Sequence, residues 1–104
     1  MSRKIHLTLA VGDYESIRAL KEGTVKADGI ELTVITDMTS DIRHWRMLRN
    51  REFDCAELSM SNYIVPKDNC LPFIAITVFL NRSFRHGFVF VNTSKGIARP
   101  TDLI

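Results

Sequence analysis

Apolar residues in this chain recur with two different periods that take turns along its length, and this alternation restricts the fold more than any other feature. Residues 4–10 set Ile5, Leu7 and Leu9 against His6 and Thr8, a repeat of two that belongs to a strand with one apolar face. The turn VGD follows. Asp13 is the expected N-cap of a short helix in which Tyr14, Ile17 and Leu20 share a face, and Gly23 is its natural stop. An Asp28-Gly29 turn leads into a second strand at 30–35. Ser40 or Asp41 should cap a second helix over 41–49, with Ile42, Trp45 and Leu48 as its buried stripe. A third strand is expected at 54–58. Ser59 and Ser61 then open a helical turn that Pro66 ends. Further strands are expected at 73–80 and 88–92.

Strand and helix in such alternation predict an α/β fold, a mostly parallel sheet flanked by helices. In sheets of this kind, polar groups that do chemistry collect beyond the carboxyl ends of the strands. Three segments qualify: Gly12, Asp13 and Tyr14; Glu57, Ser59 and Tyr63; and NRSFRHG at 81–87. The last sets two arginines, a histidine and a phenylalanine between two apolar runs, FIAITVFL and FVFVN. The final GIARPTDLI ends on an apolar residue with no closing element, so the chain is expected to be a fragment cut before the next strand.

Composition narrows the function. A 104-residue chain with 45% hydrophobic and 25% charged residues is one globular domain or part of one. Its longest nearly apolar run, 71–80, is too short to cross a bilayer, so no membrane partner is expected. MSRKIHLTLA reads as a strand rather than a leader, which points to a cytoplasmic protein. A net charge of +2 is too mild to imply nucleic acid. Cys55 and Cys70 have neither zinc-site spacing nor disulfide density, and are expected to be free, mostly buried thiols. His6, His44 and His86 form no HxH or HxxxH pair, so no protein-made metal site is expected within the segment.

The order LTLAVGDYESIRALKEGTVKADGIELTV, RMLRNREFDCAELSMSNYI, PFIAITVFLNRSFRHGFVFVN and GIARPTDL closely resembles the amino-terminal part of the 4,5-dihydroxyphthalate decarboxylase family. GDY, EFDCAELS and FRHGFVFVN are its most specific pieces. Small departures fall at Thr77 and Gly87, neither of which is a charged candidate. The resemblance implies the first lobe, with hinge strands, of a two-lobed fold like the type 2 periplasmic solute-binding proteins, residues 1–104 lacking the second lobe. It also implies non-oxidative removal of CO2 from an aromatic dicarboxylate, 4,5-dihydroxyphthalate giving 3,4-dihydroxybenzoate. The isolated fragment should then be inactive, and should be marginally stable or self-associating. A homo-oligomer is compatible with this.

A dianionic aromatic substrate calls for forked cationic donors, and arginine pairs with carboxylates bidentately where lysine does not. Arg82 and Arg85 suit that task, and His86 suits the general acid that protonates the ring carbon losing its carboxylate. A helical turn would put 82, 85 and 86 on one face; an extended chain would turn Arg85 away. Glu57 and Ser59, two apart, and Asp13 and Tyr14, at a helix start, are further substrate-binding candidates. Each has a plainer role as well: Arg82 and Arg85 as partners of surface acids, His86 and Ser59 as caps, Glu57 as a surface acid, Asp13 as a cap and Tyr14 as core. Arg43, Arg46 and Arg49 read as a solvated helix face, with phosphate binding the remoter reading. No cofactor is required by this chemistry, and a metal held partly by the second lobe is compatible with it. The alternative function is the solute-binding component of a transporter for a small aromatic or carboxylated ligand.

Overall fold

A computed structural model of the chain describes residues 3–103. Its first part follows the alternation. Strand β1 (Ile5–Ala10) is central, with β2 (Ile30–Ile35) on one side and β3 (Cys55–Ala56) on the other, all parallel. Between β1 and β2 lie a 3-10 turn, Glu15–Ile17, and α1 (Arg18–Lys21); α2 (Ser40–Asn50) connects β2 to β3, and α3 (Met60–Asp68) follows β3. β1 and β2 are in register from Ile5 with Ile30 to Ala10 with Ile35. The β1–β3 ladder is short, and Asp54 reinforces it. Its carboxylate accepts from the Thr8 amide and hydroxyl, both at 2.8 Å, while the Asp54 amide donates to that hydroxyl at 3.0 Å.

Several element details differ from expectation, each for a local reason. Asp13 does not cap the first helix: its carboxylate takes the Lys21 ammonium at 2.9 Å, and Tyr14 holds the cap position. Gly23 and Gly29 do turn the chain where expected, at φ 71° and 74°, which side chains with a Cβ adopt rarely. α2 begins after Thr39 and ends at Arg51, itself at φ 52°. Pro66 lies inside α3 and is buried, rather than ending the helix. Both cysteines are free and exposed, not buried.

The largest correction concerns which face of α2 is covered. Ile42 and Trp45 are 49% and 58% exposed, whereas Arg43 and Met47, one turn apart, are the buried residues. Successive helix residues are about 100° apart, so covering Arg43 turns Ile42 outward. Met47 joins Ala10, Phe53 and Phe73 in the core cluster, with Ile35, Leu48, Ala56, Leu58 and Tyr63 packed around it. Burying side chains of this kind contributes about 1.5–3 kcal/mol each. Arg46 is only partly solvated: it spans Glu52 at 2.6 Å and the Phe53 ring at 5.2 Å. Of the three arginines, only Arg49 is exposed.

Beyond Phe73 the expected strands at 73–80 and 88–92 do not form. The chain is extended, interrupted by short 3-10 turns at His86–Phe88, Thr93–Lys95 and Pro100–Leu103. Among the described residues, backbone hydrogen bonds here reach only two or three positions away, as in Val78 to Ile76 and Phe88 to Arg85. The Cα radius of gyration, 18.6 Å, exceeds the roughly 13 Å of a compact chain this long. No helix among the described residues is long and apolar enough to cross a membrane.

Candidate functional site

The path from β1 through α1 runs to β2 on one side, and the path through α2 then crosses to β3 on the other. The adjacent carboxyl ends of β1 and β3 therefore mark the place where the strand order reverses, the switch point at which α/β sheets bind ligands. Val11, wholly buried, continues β1 with its amide on the Ile35 carbonyl at 3.0 Å. Gly12 and Tyr14 follow it. On the other strand the Glu57 amide donates to the Ala10 carbonyl at 2.9 Å, which fixes the Glu57 side chain beside them.

Glu57 is the hub. Its Oε2 accepts from the Gly12 amide at 3.0 Å and from Arg43 Nη2 at 2.7 Å, and its Oε1 accepts the Tyr14 hydroxyl at 2.8 Å. The side chains of Arg43 and Glu57 are 2% and 17% exposed. Arg43 Nη1 also donates to the Met38 carbonyl at 3.2 Å, while its buried Nε has no partner among the described residues. A carboxylate this covered needs a cation, because desolvation penalises an unpaired charge heavily. Gly12 is required sterically: a Cβ there would lie 2.5 Å from Tyr14 Cζ. Burial, then the hydrogen bond to Glu57 and its negative charge, raise the Tyr14 phenol above its ordinary range, so it stays protonated and donating. Arg43 and the Asn81 carboxamide oppose that rise.

His44, beside Arg43 on α2, meets the first turn of α3. Its Nδ1 lies 2.9 Å from Asn62 Nδ2; an amide nitrogen can only donate, so Nδ1 accepts and the ring proton sits on Nε2. Burial and the neighbouring Arg43 lower its pKa, against smaller opposing effects of Glu57 and Asp41. Ser59 caps α3, its hydroxyl accepting the Asn62 amide at 3.2 Å. Glu57 and Tyr14 are thus brought together, with Ser59 two residues further along. Asp13 faces Lys21 instead.

Arg82, Arg85 and His86 are exposed. Helical geometry starts only at Arg85, so Arg82 stands outside the turn. The Arg85 guanidinium lies 5.7 Å over the Phe88 ring and His86 is 6.1 Å from the Phe84 ring. Among the described residues none of the three forms an ion pair, so neither arginine is tied to a surface acid. No cluster of three or more His, Cys, Asp or Glu suited to a metal occurs among the described residues. A shallow depression lined by Lys4, Leu20, Val25 and Lys26 lies at the amino ends of β1 and β2, the end opposite the polar cluster.

Arg43, His44 and Asn62 were not singled out as site residues by sequence. A signal for Arg43 existed: an acid in the apolar context of DCAEL must find a cation, and Arg43 shares a helix face with core residue Met47.

Two curated relatives, both named 4,5-dihydroxyphthalate decarboxylase, come from Comamonas testosteroni and Pseudomonas putida. They are 38% and 36% identical to the chain over 101 residues, 96% of its length. The chain spans 30% and 39% of the lengths of those two proteins. No protein-family model matches it. Identity at this level over 101 residues marks common descent, and the chain is a homologue of part of these two 4,5-dihydroxyphthalate decarboxylases.

Proposed function

We propose that this chain is part of a cytoplasmic enzyme that removes CO2 from an aromatic dicarboxylate, with 4,5-dihydroxyphthalate as substrate and 3,4-dihydroxybenzoate as product. The observation that carries the reading is the identity of 38% and 36% to two proteins of that name. The polar cluster at the switch point supports it, since that is where an α/β sheet binds its ligand. Residues 1–104 then serve as the first lobe, with hinge segments, of a two-lobed fold of the type 2 periplasmic-binding kind. The second lobe belongs to the part of the relatives' length that this chain does not span.

Within that reading the substrate carboxylates pair with Arg82 and Arg85, which have no competing acid among the described residues. His86 delivers the proton to ring carbon. Each carboxylate lies para to a hydroxyl that feeds electrons into the ring, and Glu57, Tyr14 and Ser59 are the groups available at the strand tips, Asp13 being paired with Lys21. The reaction exchanges CO2 for a proton and needs no redox cofactor.

The test is CO2 release from 4,5-dihydroxyphthalate by the full-length protein that carries this chain. Stoichiometric CO2 and 3,4-dihydroxybenzoate are expected, and Arg85→Ala should raise KM by roughly tenfold or more through loss of a charged hydrogen bond. Tight binding without turnover would instead mark a solute-binding component.

A further inference from the structure

We propose that the Arg43–Glu57–Tyr14 cluster is the end of the site that recognises a hydroxyl of the aromatic substrate, with Glu57 as the acceptor and Arg43 as its positioning residue. This rests on the decarboxylase reading above. Glu57 Oε2 already holds two donors, the Gly12 amide and Arg43. Oε1 holds one, and that one is a phenolic hydroxyl at 2.8 Å. A carboxylate oxygen accepts two hydrogen bonds, so one acceptor position remains on Oε1, and Glu57 keeps 17% of its side-chain surface exposed. The protein thus displays on this oxygen the bond that a catechol hydroxyl would make.

Arg43 fixes where that oxygen points. Its guanidinium is anchored at two places, the Met38 carbonyl at 3.2 Å and Glu57 Oε2 at 2.7 Å. With Oε2 clamped, the carboxylate cannot rotate, and Oε1 stays on the Tyr14 side. Arg43 itself, 2% exposed, touches no substrate.

The cluster also suits the chemistry. As the hydroxyl proton moves toward Oε1, the oxygen becomes a ring carbonyl and its electron pair enters the ring. The para carbon, which bears the carboxylate, gains a proton from the general acid. The bond to the carboxylate then breaks, its electron pair stays in the ring, CO2 leaves, and Glu57 returns the proton to the oxygen. One proton replaces one CO2, with no oxidant or reductant.

The probes are 4,5-dihydroxyphthalate as substrate and phthalate, which has no hydroxyl, as competitive inhibitor, on the full-length protein. Arg43→Met should raise KM for the dihydroxy substrate by roughly tenfold or more, while the phthalate inhibition constant changes by no more than about twofold. Arg43→Lys, which keeps the charge, should recover most of the loss. Should Arg43→Met fail to fold, Arg43→Lys carries the test, with a smaller rise in KM and no change for phthalate. A parallel rise in both constants would reduce Arg43 to scaffolding and overturn the inference while leaving the decarboxylase reading intact. A wild-type protein that binds and turns over neither compound would bring down both.

Discussion

Residues 3–73 and residues 74–103 both carry runs of valine, isoleucine and phenylalanine, yet those side chains end in opposite surroundings. Phe53 is 6% exposed inside the core cluster; Phe90 is 87% exposed. In the first region each strand has a neighbour to satisfy its amides and carbonyls, and a helix face to cover it. In the second, FIAITVFL and FVFVN have the composition of strands but no ladder partner among the described residues. The contrast shows that β-branched and aromatic content is only suitability for a pleated surface. A strand forms when another strand supplies the hydrogen bonds.

The same truncation in the two regions gives the sharpest test. Phe53→Ala should cost about 3–5 kcal/mol, the loss typical of a buried phenylalanine, read as a lower urea midpoint of the chain. Asp54 comes next, because it ties β3 to β1. Hydrogen bonds from the Thr8 amide and hydroxyl hold its carboxyl below the ordinary value of 3.8. A carboxylate depressed in the folded state stabilises above its unfolded pKa, and that stability is lost as pH falls through the folded value. Asp54→Asn should therefore flatten the acid limb of a stability profile recorded below about pH 4; an unchanged limb would place the pH dependence elsewhere. The smallest effect is expected at Phe90→Ala, within about 0.5 kcal/mol, as for an exposed side chain. A cost matching that of Phe53→Ala would erase the distinction between the regions.

What could be read from sequence followed the same division. β1, β2 and the glycine turns were legible because alternation and turn chemistry are local. The buried face of α2 was not, since Ile42, Trp45 and Leu48 are a valid apolar stripe taken alone. The choice of Arg43 depends on Glu57, fourteen residues away and brought near only by the crossover. Pro66 misled for a similar reason: helix-breaking is a local penalty, and burial of its ring within α3 offsets it. Glu57 and Tyr14 were legible as candidates because the α/β pattern identifies strand tips. Their shared hydrogen bond and the cation beneath them were not.

The proposed site holds an aromatic dianion at the adjacent carboxyl ends of β1 and β3. A crystal structure of the full-length protein with 4,5-dihydroxyphthalate tests it most directly. The account predicts a ring hydroxyl on Glu57 Oε1 beside Tyr14, with Arg82 or Arg85 on a carboxylate. A ligand seated away from these strand tips, with Glu57 bonded only to Arg43, Gly12 and Tyr14, would contradict it.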